Sequence, residues 1–226
     1  MWQDEIKNLG FAIMPGVLRD DEVTSALTEL SKSSLPRSKA GIRHMLGDKT
    51  AAMLARDPRL LTIAQDILGC DAIPFHATLF DKSPNANWLV VWHQDTALPL
   101  QEKNERMSWG PWSVKQGVTY AHAPASALEK VLALRIHLDD STLDNGPLRI
   151  LPGTHEMGVL SDDSIEQAST RITATDCVVP RGGILAMRPL VVHASSKSQT
   201  SKPRRVLHIE YAASLTIAEG MQLASA

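Results

Sequence analysis

Three residues of this 226-residue chain have the types and spacing of a metal site: His93, Asp95 and His193. Trp92-His93-Gln94-Asp95 ends a strand-like run, and in a strand residues i and i+2 point to one side. His93 and Asp95 can therefore aim an imidazole and a carboxylate at one ion. His193 follows a second apolar strand-like run, 184–192. Two histidines and a carboxylate leave three coordination positions open, which suits iron(II) and oxygen chemistry. Arg204 and Arg205 follow His193 by 11 and 12 residues and open another strand-like run. A hairpin there would bring an arginine back beside the metal. A guanidinium makes two parallel hydrogen bonds to a carboxylate. Iron(II), an open face and an anchor for a buried carboxylate are the requirements of 2-oxoglutarate chemistry.

The elements that must position these groups change character along the chain. Asp20 or Asp21 can cap a helix with Val23, Ala26, Leu27 and Leu30 at helical spacing. Residues 31–38 are polar, contain Pro36 and read as a loop. Asp57-Pro58 is a helix start, Leu61, Ala64 and Leu68 give its buried stripe, and Gly69 is a stop. From residue 72 onward short strand-like runs take over, at 72–80, 88–93, 131–138, 147–151, 175–179, 184–193 and 205–213. Ser83-Pro84-Asn85, Asp144-Asn145-Gly146-Pro147, Pro152-Gly153 and Arg181-Gly182-Gly183 supply turns between them. Helices followed by spaced strands predict a mainly β domain, a barrel or jelly roll buttressed by N-terminal helices. Residues 101–128 show little periodicity but hold Trp109, Trp112 and Tyr120. With Lys115 these form a substrate lid, or else the tryptophans only pin a long loop.

Several polar residues admit two readings. Arg135 and His137 alternate with Leu134, Ile136 and Leu138, so one face of that run is polar. In a half-exposed sheet such a face is solvated; in a barrel it lines a pocket. His155, after Pro152-Gly153, reads as a residue that holds a turn. His44, His76, His122 and His208 have no partner visible in the sequence.

Composition bounds the rest. A length of 226 residues with no break suits one domain. A net charge of −2 gives no footprint of a nucleic-acid or membrane-surface partner. No apolar run approaches the roughly 18 residues of a membrane span. The charged N-terminus does not read as a signal peptide. Two cysteines, Cys70 and Cys177, point to small core hydrophobes in a reducing, cytoplasmic setting.

The chain resembles the phytanoyl-CoA dioxygenase family of iron(II)/2-oxoglutarate oxygenases from about Phe11 to Ala213. The motifs that carry the resemblance are Leu79-Phe80-Asp81-Lys82, Trp92-His93-Gln94-Asp95, Leu138-Asp139-Asp140, Asn145-Gly146-Pro147-Leu148, Leu151-Pro152-Gly153-Thr154-His155 and His193-Ala194-Ser195 followed by Arg204. The resemblance implies a double-stranded β-helix, the cupin-like jelly roll. It implies iron(II) on His93, Asp95 and His193, with 2-oxoglutarate and O2 as co-substrates. Arg204 rather than Arg205 stands at the family spacing for the far carboxylate of 2-oxoglutarate, and Ser195 shares that carboxylate. Thr78 lies on a strand that lines the co-substrate pocket, Gln94 reaches the near carboxylate, and Arg43 is a basic residue contributed by the N-terminal region. The resemblance also carries the strand of Arg135 across the barrel, toward 2-oxoglutarate or an anionic substrate. The implied reaction is hydroxylation of an unactivated C–H bond of a small molecule, with release of succinate and CO2. Asp95 favours it, because halogenating relatives have a small residue there. The alternatives are a cupin-like metal enzyme that does not use 2-oxoglutarate and a non-catalytic binding barrel. The substrate and the oligomeric state are not legible.

Overall fold

The computed structural model describes residues 2–38, 41–83, 86–104 and 109–226. Its first third is helical with short strands: α1 (Trp2–Leu9), β1 (Phe11–Met14), α2 (Asp20–Leu30), β2 (Arg37–Ser38), β3 (Gly41–Arg43), α3 (Lys49–Leu54) and α4 (Pro58–Leu68). The strand-rich part follows with β4 (Ile73–Lys82), β5 (Val90–His93), β6 (Ala97–Leu100), β7 (Trp112–Lys115), β8 (Val118–His122), α5 (Ala125–Leu128), β9 (Val131–His137) and β10 (Leu148–Ile150). Then come α6 (Asp162–Arg171), β11 (Thr175–Cys177), β12 (Ile184–Met187), β13 (His193–Ser195), β14 (Arg204–Ala212), β15 (Thr216–Ala218) and β16 (Met221–Gln222).

Among the described residues, seven strands form one antiparallel sheet in the order β1-β12-β9-β14-β4-β3-β2. Four form a second sheet, β11-β10-β13-β5, and three form a cap, β6-β8-β7. The two larger sheets face each other as the halves of a double-stranded β-helix. Side-chain alternation sorts the large sheet. On its outer face Ile42, Leu79, Leu207, Ile136 and Ile184 join a core with Val23 and Leu30 of α2 and Leu60 and Ala64 of α4. The inner face holds the polar residues. Its floor is apolar, where Phe11, Ala133, Leu185 and Met187 meet Leu148, Ile150 and Cys177 of the opposite sheet.

Local rules explain most ends. The Asp57 carboxylate accepts the Arg59 N–H at 2.9 Å, Pro58 opens α4, and Gly69 closes it at φ 72°. The start of α2 differs from expectation: Arg19 holds the cap position and Glu22 accepts its N–H at 2.8 Å, so Asp20 and Asp21 fall in the first turn. The run 184–193 is two strands, one in each sheet. Pro189 cannot donate to a ladder, and the Val191 N–H turns back to Arg188 O at 3.1 Å. His193 therefore opens β13. Arg204 returns not by a hairpin but by a crossing from β13 in the small sheet to β14 in the large one. The unperiodic stretch 101–128 holds β7, β8 and α5. Of the expected Ser83-Pro84-Asn85 turn, Pro84 and Asn85 lie outside the described residues; Ser83 bridges to Ala86. Among the described residues no helix is long and apolar enough to cross a membrane. Cys70 is exposed and Cys177 buried, and neither is in a disulfide.

Candidate active site

The metal-binding triad comes from strand register. His93 on β5 and His193 on β13 are directly opposed partners, and opposed residues on one face hold their Cβ atoms about 5 Å apart. The two rings sit 4.2 Å apart. Asp95 follows two residues after His93, its N–H anchored to Pro189 O at 3.0 Å. Its carboxylate oxygens lie 3.5 Å from His93 Nε2 and 3.5 Å from His193 Nε2. The three donor atoms fall within 4.8 Å of one another. Each histidine uses Nδ1 toward the carbonyl two residues earlier, Val91 O at 2.8 Å and Val191 O at 3.0 Å. That fixes the tautomer in which Nε2 is free to ligate. Burial, only partly countered by Asp95, pushes His193 down to about 4, so it is neutral. Burial would raise Asp95, yet His193 and His93 hold it well below the usual carboxylate range. His93 moves the other way: burial lowers it, but the hydrogen bond and charge of Asp95 outweigh that and hold it above the usual imidazole value. A metal would take the neutral ring of each histidine and the ionised carboxylate. This donor set fits iron(II).

Two chambers open from the triad. The inner one, about 110 Å³, is lined by Lys82, Arg135, Ser195 and Arg204 together with His93, Asp95, His193 and apolar residues. Lys82 and Arg204 are paired partners on β4 and β14. Lys82 Nζ donates to Ser195 Oγ at 2.8 Å and to Ser196 O at 2.6 Å. Arg204 donates to Ser195 Oγ and to Asn145 O, both at 3.4 Å. Ser195 Oγ in turn donates to Gly146 O at 2.9 Å. Gly146 has φ 69°, and a Cβ there would meet Ser196 O at 2.3 Å, so this turn needs glycine. Burial and Arg204 push Lys82 down to about 8; burial and Arg135 push Arg204 down to about 10. Three buried cations thus face one cavity, and the one carboxylate that lines it is the triad's Asp95, whose charge acts on Arg135. Burying charge without a partner is costly. A dicarboxylate that reaches the metal at one end and Lys82, Arg204 and Ser195 at the other answers that charge.

The outer chamber, about 290 Å³, takes its wall from the register of the large sheet. One inward row runs Arg43–Thr78–His208–Arg135 across β3, β4, β14 and β9; the next places His76 beside Glu210. Arg135 donates to His208 Nδ1 at 2.9 Å, and its guanidinium lies 5.2 Å from the Phe80 ring. Phe80, Arg135 and His208 form the partition between the chambers, because Phe80 lines both while Arg135 lines the inner and His208 the outer. Burial and Arg135 push His208 down to about 3, so it is neutral and accepts from Arg135. Across the chamber runs a chain of contacts: His44 Nε2 to Tyr120 OH at 3.0 Å, Tyr120 OH to His76 Nε2 at 3.1 Å, and His76 Nδ1 to Glu210 Oε2 at 2.5 Å.

The sequence profile of the family described as "Phytanoyl-CoA dioxygenase (PhyH)" matches residues 7–206. The chain belongs to the phytanoyl-CoA dioxygenase family. By that membership and its donor set it is an iron(II)/2-oxoglutarate-dependent oxygenase. It is similar to the L-proline trans-4-hydroxylase of Streptomyces griseoviridis, 23% identical over 89% of this chain and 82% of the relative. The ectoine dioxygenase of Nocardia farcinica is 23% identical over 86% of this chain and 71% of that protein. The solved structure of EctD from S. alaskensis with 2-oxoglutarate and 5-hydroxyectoine has a TM-score of 0.71 at 18% identity, covering 93% of this chain and 74% of that one. The epimerase SnoN in complex with Fe3+, alpha ketoglutarate and nogalamycin RO has a TM-score of 0.69 at 19% identity, over 93% and 82%.

Several family-based assignments shift in this geometry. Arg204 points into the inner chamber, while Arg205 is held outside it by Asp139 through contacts of 2.7 and 2.8 Å. Gln94 is consumed by backbone: it donates to Gly158 O and Leu190 O and accepts from Leu160 N, at 2.7–2.9 Å. It ties down the loop before α6, and its amide is not free for a co-substrate carboxylate. Thr78 and Arg43 line the outer chamber, not the inner one. The candidate lid divides: Trp109 is buried in a core, whereas Lys115 and Tyr120 face the outer chamber. His155 Nε2 meets Lys7 O at 3.1 Å and ties the turn after Pro152-Gly153 to α1. The sequence reading gives Lys82, His44, His76, His208 and Glu210 no site role, yet the fold brings them to the two chambers. The signal for four of them is their period: His76, Thr78, Phe80 and Lys82 alternate along β4, and His208 and Glu210 along β14.

Proposed function

We propose that this protein hydroxylates a free small molecule, with His93, Asp95 and His193 holding the metal and Lys82, Arg204, Ser195 and Arg135 holding the co-substrate. The carrying observation is the inner chamber, where three buried cations face the triad and Asp95, a triad member, is the one carboxylate in the lining. Bound iron(II), with 2-oxoglutarate and O2, supplies the oxidising equivalents that insert oxygen into a C–H bond and release succinate and CO2. The chain's own residues do the rest. Val91 and Val191 carbonyls orient the two imidazoles, Ser195 joins Lys82 to Arg204, and Phe80 with Arg135 and His208 separates co-substrate from substrate. Asp95 occupies the third protein position on the metal, which favours hydroxylation. The relatives named as acting on proline and ectoine support a small substrate. In the outer chamber most lining side chains carry a polar group, the exceptions being Phe80, Gly41 and Ala97. The two free cysteines suit the cytoplasm, and the whole chain acts as one domain.

The test is succinate release from 2-oxoglutarate by the iron-loaded protein, screened with a small-molecule library. Substrate-stimulated succinate that disappears in His93→Ala supports the reading. Failure of both iron(II) and 2-oxoglutarate to raise Tm rejects it, since a ligand of the native state must stabilise it.

A further inference from the structure

The outer chamber has charges left over. Arg43 lines it with no hydrogen bond or ion pair to any described residue. Lys115 reaches in from β7 and rests only on the Tyr120 ring, 4.6 Å from its centre. On the far side Glu210 is buried, and its Oε2 is bound by His76 at 2.5 Å. Its Oε1 has no hydrogen-bond partner among the described residues. Half-buried or buried charges of this kind are paired in folded proteins. Here two cations and one carboxylate oxygen share a cavity without pairing to each other.

Register explains why they do not. Arg43 sits opposite Thr78, and Glu210 sits opposite His76, two residues further along β4. Two strand spacings across and two residues along separate the Arg43 and Glu210 Cα atoms by on the order of 12 Å. Both side chains reach inward over part of that span. A molecule with a few carbon atoms between its charged groups fits the remainder. A guanidinium and an ammonium together make a carboxylate site, and a free carboxylate oxygen is an ammonium site.

We propose that the outer chamber binds a small zwitterion, an amino acid or close analogue, with its carboxylate between Arg43 and Lys115 and its ammonium against Glu210. This deepens the oxygenase reading and rests on it: the carbon skeleton between the two charged groups then lies against the open face of the triad. A dianion would set a second negative charge against Glu210. A neutral alcohol would leave Arg43 and Lys115 unpaired.

Isothermal titration of the iron(II)- and 2-oxoglutarate-loaded protein, with oxygen excluded, tests it. The probes are the proteinogenic amino acids in both enantiomers, with their methyl esters and N-acetyl derivatives. At least one amino acid binds, and its ester and its N-acetyl form bind at least tenfold more weakly. Arg43→Gln, which breaks no protein contact, weakens the amino acid about tenfold and leaves the ester unchanged; Lys115→Gln does the same. Glu210→Gln weakens the amino acid and leaves the N-acetyl form unchanged. Derivatives that bind as tightly as the parent, or an Arg43→Gln protein of unaltered affinity, overturn the proposal. So does a panel without a binder on protein that still takes up iron(II) and 2-oxoglutarate, and that result leaves the oxygenase reading standing. Protein that takes up neither overturns both.

Discussion

Lys82→Met removes one of the three buried cations of the inner chamber and keeps the length of the side chain. Lys82 is 1% exposed, and burial followed by Arg204 pushes it from 10.5 down to about 8. That drop is worth about 3 kcal/mol. It is the cost of keeping the ammonium charged before a counter-anion arrives, and an incoming carboxylate offsets it. A charge-assisted hydrogen bond contributes about 1.5–3 kcal/mol by independent measure. Lys82→Met is therefore expected to weaken 2-oxoglutarate about 100-fold at neutral pH, read by calorimetry on the iron(II)-loaded protein without oxygen. The pH dependence has a definite sign. Below about pH 8 Lys82 is charged and affinity is flat; from about pH 8 to about pH 10, where Arg204 begins to titrate, it loses its proton and 2-oxoglutarate weakens by up to tenfold per pH unit. Lys82→Met removes that slope. Because the folded-state value lies below the unfolded one, the unfolded chain binds more protons in this window. This group alone therefore makes the protein without co-substrate more stable as pH rises from about 8 to 10.5. If Lys82→Met loses stability but keeps both the affinity and its slope, Lys82 is only a strut for the Ser195–Ser196 turn, and the charge argument fails.

Other substitutions separate the remaining roles. His93→Ala is expected to abolish iron binding, measured by metal analysis after desalting, with little change in circular dichroism because the side chain is 36% exposed. Arg204→Ala should raise the 2-oxoglutarate requirement 10- to 100-fold, while Arg205→Ala, which cuts a partly exposed pair with Asp139, should cost about 1 kcal/mol of stability and leave that requirement alone. The reverse pattern would move the assignment by one residue. Gln94→Ala strands three backbone groups, an expected loss of about 3 kcal/mol. At this chain length that is a Tm drop of roughly 6–12 °C. An intact Tm with weakened 2-oxoglutarate would restore Gln94 to the co-substrate.

The sequence carried the metal triad because a metal site obeys short-range rules. His93 and Asp95 are two residues apart, and His193 stands in a motif with Ser195 and Arg204. It carried α4 equally well, through Asp57, Pro58 and Gly69. What it hid were contacts fixed by register. His76 and Glu210 are 134 positions apart and meet because β4 and β14 run antiparallel with one offset from Arg204 to Glu210; a slip of one residue in either strand would turn that strand's residue toward the helices. Gln94 shows the opposite failure. It sits between two metal ligands, and in a strand the odd residue of three points away from the other two. Its neighbours' chemistry made it look like a co-substrate contact, while its own geometry sent it to the loop at 158–160. The break of 184–193 into two strands was signalled by Pro189, a residue that cannot sit inside a central strand.

The inward rows of the large sheet also explain why substrate and co-substrate need not compete. Lys82 and Arg204 form one rung, Phe80 and Val206 the next, Thr78 and His208 the third, and His76 and Glu210 the fourth. Two cationic side chains face each other at the first rung, and a carboxylate stands at the fourth. The two middle rungs supply the Phe80 ring and a neutral His208 whose Nδ1 is already taken by Arg135. Neutral His208 matters here, since a protonated ring would repel Arg135 and open the partition. The triad sits on the opposite sheet, with His93 and Asp95 lining both chambers. The triad thus opens on one side to the rung of Lys82 and Arg204 and on the other to the chamber of Thr78, His76 and Glu210. Period-two alternation on a single pair of strands, β4 and β14, is enough to build both sites and the wall between them.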